Sequence, residues 1–297
     1  ADSAMYSAKE AGRNTFSFFT DSMNREVSRE LALEEQLHGA LKREEFRLVY
    51  QLQADIRSGD IIGAEALIRW NNPKLGAVCP DEFIAVAEHT GLIIPISQFV
   101  ITESMKMAAF WQKKYAKDFR MAINLSPRQF RDPNLINFIE EALKTSSVPA
   151  GTIELEVTEG VLMSGHSFID DALKALSKLG VRLAMDDFGT GYSSLSYLRR
   201  YSFDTLKIDR SFIKDIAESS SNRELVNAII AMAHALGLEI VAEGVETKMQ
   251  WNFLTNRQCQ YAQGYLINRP MNSDKVTAKL KNQKSNHKNA EALTSHA

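Results

Sequence analysis

Apolar positions along this chain recur first at helical spacing and then, from Phe46 onward, in short runs separated by amphipathic stretches. Between Asp21, a candidate N-cap, and Arg43, the residues Met23, Val27 and Leu31, then Leu33, Leu37 and Leu41, fall on one side with charges opposite, the pattern of a connecting helix. Residues 46–53 and 61–70 read as strands, and the turn signal Ser58-Gly59-Asp60 makes them an antiparallel hairpin. Helical spacing over 81–89 and 96–115 precedes a strand at 119–125, 133–146 precedes 152–157, and 167–179 precedes 181–186. Strands at 205–208, 238–242 and 261–264, with helices over 222–236 and 248–256, complete the series. Eight strands with intervening helices predict an α/β fold, a (β/α)8 TIM-like barrel with an antiparallel first strand and a preceding linker helix. A doubly wound open sheet is the alternative arrangement.

The same pattern divides the chain. Residues 1–20 read as a short helix closed by Gly12 and a short strand, too little to fold alone; 21–43 are the linker helix and 44–281 the barrel. Past Met271, one or two helical turns lead into a polar Lys/Asn/Ser tail expected to be disordered over 282–297. A chain opening on Ala-Asp-Ser-Ala-Met reads as part of something longer. With 44% hydrophobic and 24% charged residues, it can bury a full core. Its net charge of −2 argues against a binder of nucleic-acid polymers or of membrane surfaces. Cys79 and Cys259 form no ligand-spaced cluster, which favours a reduced, cytoplasmic setting over a disulfide scaffold. No apolar run is long enough to span a membrane.

Candidate chemistry centres on Leu183-Ala-Met-Asp-Asp-Phe-Gly-Thr-Gly-Tyr-Ser-Ser-Leu195, an apolar run that ends in two adjacent carboxylates and enters a glycine-bearing loop. Neighbouring strand side chains face apart, so Asp186 and Asp187 share one site only where the backbone turns. Two such carboxylates call for cations, and oxygen ligands without nearby Cys or His favour Mg²⁺ or Mn²⁺ over Zn²⁺. Alternatively the aspartates cap a helix beginning near Ser193 or Ser194. Barrel chemistry sits at the C-terminal strand ends. The polar residues there are Gln51, Glu65 and Arg69, Asn124, Glu156 and Glu159, Asp186 and Asp187, Lys207 and Asp209, Glu243 and Glu246, and Gln263. Glu65 interrupts the apolar run Ala64-Glu-Ala-Leu-Ile68 and needs a partner or a metal. Lys207 stands among acids, suited to stabilise developing charge or orient a water; a salt bridge to Asp209 is its simpler reading.

These residues carry a resemblance. Glu65-Ala-Leu-Ile-Arg69, Asn124-Leu-Ser126, Glu156-Val-Thr-Glu159, Asp186-Asp-Phe-Gly-Thr-Gly-Tyr-Ser-Ser194, Lys207-Ile-Asp209, Glu243-Gly-Val-Glu246 and Gln263-Gly-Tyr265 together resemble the EAL family of cyclic di-GMP phosphodiesterases, over about residues 35–281. Residues 1–20 resemble the C-terminal end of a GGDEF diguanylate cyclase domain, without that enzyme's active-site motif. The resemblance implies hydrolysis of cyclic di-GMP to linear pGpG with two divalent cations, Mg²⁺ or Mn²⁺; Ca²⁺, whose larger, looser shell misplaces the water, is expected to inhibit. It implies that Glu65, Asn124, Glu156 and Asp186 bind one metal and Asp186 and Asp187 the other, with Glu243 reaching the shell through water and Lys207, Glu243 and Glu65 catalytic. By the same resemblance Gln51, Leu67, Arg69, Asp209, Glu246 and Gln263 meet the substrate, while Glu159 anchors a control loop containing Gly189, Thr190 and Gly191; a helix cap is the simpler reading of Glu159. Further implications are a homodimer through the barrel, upstream GGDEF or sensor domains, a parent protein that can be anchored in the inner membrane, and a role in biofilm and motility signalling. A silent cyclic di-GMP receptor signalling through the linker helix is the alternative. The chain departs from the family in placing Leu52, where Pro is usual, after Gln51.

Overall fold

The computed structural model describes residues 21–163, 167–189, 195–216 and 220–294; the segment 1–20, with its likeness to a cyclase domain, lies outside them. The chain divides into two compact units, one formed by the chain through Arg47 with Arg69–Ile96, the other by Leu48–Ile68 with the residues from Ser97 onward.

In the first unit, helix α1 (Asp21–Leu37) lies against α2 (Pro80–Thr90). Leu33 and Leu37 are buried, whereas Leu31, on the expected apolar stripe, is 61% exposed. Arg29 forks onto the Glu82 carboxylate at 3.0 and 3.4 Å. The helix expected to reach Arg43 stops at Leu37 because Gly39 takes a left-handed backbone (φ +77°) and Arg43 donates back to the carbonyls of Gln36 and His38. Phe46, which opens β1 (Phe46–Asp55), packs with Phe83 and with Trp70 of β2 (Ile61–Asn72) at ring separations of 5.8 and 5.9 Å, and those two rings lie 5.6 Å apart. Beneath them Glu45 is buried, accepting hydrogen bonds from Arg43, Trp70 Nε1 (2.8 Å) and Asn72 Nδ2 (3.0 Å). A three-residue strand absent from the sequence reading, β3 (Gly76–Val78), pairs antiparallel with the end of β2.

The second unit is the expected barrel. In chain order it contains α3 (Ile93–Lys114, from Ser97 onward), β4 (Arg120–Asn124), α4 (Leu135–Ser146), β5 (Ile153–Thr158), α5 (Glu159–Met163), α6 (Ser167–Lys178) and β6 (Arg182–Phe188). There follow α7 (Leu195–Arg200), β7 (Thr205–Ile208), α8 (Arg210–Lys214), α9 (Ser220–Ala235), β8 (Glu239–Ala242), α10 (Lys248–Asn256), β9 (Tyr261–Gln263) and α11 (Ser273–Thr294). Strands β2, β4, β5, β6, β7, β8 and β9 run parallel; β1 joins β9 antiparallel and closes the circle onto β2, which excludes the open sheet. Leu155, Leu206 and Ile240 pack in the buried apolar layer with helix residues such as Ile101, Ile139 and Ile230.

Among the alternate positions of those strands are the charged residues Glu154, Glu156, Lys207 and Glu239. At the end where the strands begin, Arg182 of β6 bonds Glu154 of β5, Thr205 of β7 and Glu239 of β8, and Arg120 of β4 forks onto Glu239. Gly63 makes room for this plug, since a Cβ there would lie 2.7 Å from the Arg120 carbonyl oxygen. Helix α11 buries Val276 and Leu280, and Gln283 exchanges hydrogen bonds with both backbone groups of Ile61. Held so, the segment expected to be disordered from 282 stays helical to Thr294.

Candidate active site

At the opposite end, where the parallel strands finish, the acidic side chains converge. Lys207 alternates with Leu206 and Ile208 on β7, Glu156 with Leu155 and Val157 on β5, so period-two geometry sends the charged groups inward and the apolar ones to the helices. The Lys207 ammonium, fully buried, lies 2.7 Å from Glu156 Oε1, 2.7 Å from Glu243 Oε1 and 3.2 Å from Asp186 Oδ1. It is not spent on Asp209, whose carboxylate instead caps α8 by accepting from the Ser211 amide at 2.9 Å. Glu65, the charge inside an apolar run, has two partners: Asn124 Nδ2 donates at 2.7 Å and Gln263 Nε2 at 2.5 Å. Gln263 extends the network to Gln53, whose amide donates to it, and to Gln51.

Four buried or half-buried carboxylates share one ammonium, and their proton affinities follow from that. Burial alone would push Lys207 down, but Asp186, Glu156, Glu243 and Glu65 hold it well above its usual value. Burial pushes Glu156 well up in spite of Lys207, and pushes Glu243 up to about 8. Glu65 goes the other way, because Lys207 and the donors Gln263 and Asn124 outweigh its burial. Burial and the neighbouring charges of Asp186 and Asp209 raise Asp187.

The backbone turns at the aspartate pair as required. The β6–β7 register slips between Met185 and Phe188, and Asp187 takes φ +55° while its amide donates to Asp186 Oδ1 at 2.9 Å. Gly189 follows at φ +98°; a Cβ there would sit 2.8 Å from the Phe212 ring. Thr190, Gly191 and the residues to 194 lie outside the described residues, so the loop contact expected of Glu159 does too. Glu159 itself is buried as the first residue of α5 rather than a cap before it.

A cavity of about 210 Å³ opens over this cluster, lined by Gln51, Glu65, Leu67, Asp186, Lys207, Glu243, Glu246 and Gln263 among the expected residues. Asn124, Glu156, Asp187 and Asp209 do not line it, and Arg69 belongs to the first unit. Sequence reading passed over four further lining residues, Arg210, Gly244, Gly264 and Tyr265. The glycines and Tyr265 sat inside motifs already noted, but Arg210 follows a capping residue and reads as an ordinary helix-start charge. Leu52, in place of the usual Pro, is fully buried, and its amide, which Pro would lack, donates to Asn268 Oδ1 at 3.3 Å.

The donor set fits a hard divalent cation. Both Glu156 oxygens are buried without a hydrogen bond, the Lys207 contact being an ion pair only, and every other group is an oxygen ligand. As arranged, the carboxylates gather on the ammonium, and no three Asp, Glu, His or Cys side chains among the described residues surround a common ion position.

A family model described as the EAL domain matches residues 34–270. The bifunctional diguanylate cyclase/cyclic di-GMP phosphodiesterase MucR of Pseudomonas aeruginosa is 41% identical over 280 residues, 94% of this chain and 41% of that protein. Cyclic di-GMP phosphodiesterase PdeR of Escherichia coli is 38% identical over 271 residues, 91% of this chain and 41% of that protein. The solved structure of the PaMucR phosphodiesterase in a c-di-GMP complex is 40% identical, with a TM-score of 0.79 over 82% of this chain and 99% of that one. The chain thus spans about two fifths of the length of these curated relatives.

Proposed function

Because this chain belongs to the EAL domain family, we propose that its barrel cavity opens one phosphodiester bond of cyclic di-GMP with water, releasing linear pGpG. The convergence of Glu65, Asn124, Glu156, Asp186, Lys207 and Glu243 at one barrel end, beneath a cavity edged by Gln51 and Gln263, carries the reading. MucR and PdeR bear cyclic di-GMP phosphodiesterase names, and the MucR structure holds the dinucleotide, which supports the choice of substrate.

In this proposal Glu65, Asn124, Glu156, Asp186 and Asp187 hold two Mg²⁺ or Mn²⁺ ions, with Glu243 beside them. Bound there, the ions would supply charge stabilisation and a more acidic water. The chain's own groups divide the remaining work. Lys207, kept protonated by its acidic neighbours, serves as a fixed positive charge for the oxyanion building on phosphorus and is no proton acceptor. Glu243, which lines the cavity 2.7 Å from the Lys207 ammonium, is the group to exchange the proton that the departing 3′ oxygen needs. Glu65, clamped by Asn124 and Gln263, keeps its orientation through turnover. Gln51, Gln263 and Leu67 contact the bases, and Glu159 steadies the loop after Asp187. Since relatives of this kind are longer, the chain is the output module of a larger cytoplasmic protein with upstream GGDEF or sensor domains, and it pairs through the barrel. No described helix is long and apolar enough to cross a membrane.

The test is direct: incubate the chain with cyclic di-GMP and Mg²⁺ or Mn²⁺ and separate the products chromatographically. Linear pGpG is the expected product; intact substrate with either metal would overturn the reading.

A further inference from the structure

The turn after β8 is tied to both neighbouring strands. Glu243 N donates to Ile208 O, Val245 N to Gln263 O, and Leu266 N to Val245 O, each at 3.0 Å. Two glycines allow it to pack this closely. A Cβ on Gly264 would stand 2.2 Å from the Val245 carbonyl oxygen. One on Gly244, whose φ is +66°, would stand 2.5 Å from the Cβ of Arg210 and 3.2 Å from its Cα. Any larger residue at Gly244 therefore displaces either the turn or Arg210, and meets backbone strain as well. Arg210 is fixed from its other side too, as the first residue of α8 directly after the capping Asp209. Its side chain is exposed, lines the acidic cavity, and makes no hydrogen bond or ion pair with any described residue. Lys207, the other lining cation, is already matched by three carboxylates. A guanidinium whose backbone is locked in place while its head is left unmatched suits an anion arriving from outside.

We propose that Arg210, seated by Gly244, binds the second phosphate of the cyclic dinucleotide, the one not being hydrolysed; this rests on the cyclic di-GMP reading above. A cyclic dinucleotide carries two phosphodiesters; with one against the buried Lys207 cluster, the second needs a cation of its own, and Arg210 is the other cation that lines the cavity. That contact exists before and during the reaction, so it acts on affinity rather than on the chemical step.

The experiment compares wild type with R210A, R210K and G244A. It measures equilibrium binding of a fluorescent cyclic di-GMP in Ca²⁺, where turnover is suppressed, and kcat and KM in Mg²⁺. R210A is expected to raise Kd and KM by roughly 10- to 100-fold, the range for one lost hydrogen bond to a charged group, with kcat changed by less than about threefold. R210K recovers part of the loss. G244A weakens binding in the same direction and adds little in the R210A background, because both act through one contact. The exposed Arg210 substitution carries the test should G244A fold poorly. Wild-type binding by R210A, or a loss of kcat at unchanged KM, overturns the proposal alone. A wild type that neither binds nor opens cyclic di-GMP overturns the functional reading and takes this proposal with it.

Discussion

Lys207 is the residue on which most of the site's electrostatics depend, since Glu156, Asp186 and Glu243 all lean on its single charge. Replacing it with Ala leaves buried carboxylates with no counter-charge, and replacing Glu65 or Asn124 breaks the clamp on the other flank. K207A, E65A, N124A and D186N are each expected to lower turnover by at least ~10²-fold, the scale of a lost electrostatic stabiliser. Far-ultraviolet circular dichroism checks that each variant stays folded; a K207A rate near wild type would remove Lys207 from the chemistry. Residues of this kind were legible in the sequence because a charge inside an apolar strand has no cheap explanation, as with Glu65 in Ala64-Glu-Ala-Leu. Arg210 was not legible, because what singles it out is a contact with Gly244, 34 residues away, and no local pattern reports a missing Cβ.

Among elements, the strands were read with small boundary shifts because period-two alternation of Leu, Ile and Val against charge is a direct imprint of burial. Several features escaped, the short helices α5 and α8 among them. Strand β3 is too short to show a period and depends on its partner β2. The end of α1 is set by Gly39 and a side chain four residues on. The polar α11 is held by Val276, Leu280 and Gln283 in spite of its composition. Nor did the charged plug at the strand starts stand out, since Arg and Glu there read as solvent-facing. Its energetics are testable. Arg182→Ala removes the cation beside Glu154, which is buried, and should cost about 3 kcal/mol of unfolding free energy in a urea titration, as for a broken buried pair. Burial alone would raise the Glu239 carboxyl, but Arg120 and Arg182 hold it below the usual carboxylate range. Its folded value being the lower one, its contribution is complete above the ordinary carboxylate range and is lost as pH falls through the depressed value. E239Q should therefore show a lower Tm than wild type near neutrality and a smaller further fall below about pH 4, followed by calorimetry across that window.

For the molecule as a whole, the proposed two-metal reading predicts that activity is conditional on a hard cation. Chelation with excess EDTA should abolish turnover, Mg²⁺ or Mn²⁺ should restore it, and Ca²⁺, with its larger and looser shell, should inhibit. Cyclic di-GMP with Ca²⁺ should raise the Tm in proportion to RT ln(1 + [L]/Kd), about 2.7 kcal/mol of added stability at a hundredfold excess over Kd. Turnover undiminished in EDTA would remove the metals from the proposal.

The way β1 closes the barrel also sets a timetable for synthesis. Its free edge is covered by Gln263, Ala262 and Tyr261 and, through Tyr50, by Met271, partners that lie more than two hundred residues downstream of it. At ~5–20 residues per second, a ribosome exposes the finished β1–β2 hairpin for roughly 10–40 s before those partners emerge. A strand edge whose backbone groups stay unpaired that long is a template for pairing with another nascent chain. A chain terminated after Asn256 keeps that edge open permanently, and sedimentation of translation products should find it in the pellet while the full-length chain stays in the supernatant. The rate at which this protein is made is thereby tied to how its first strand waits for its last.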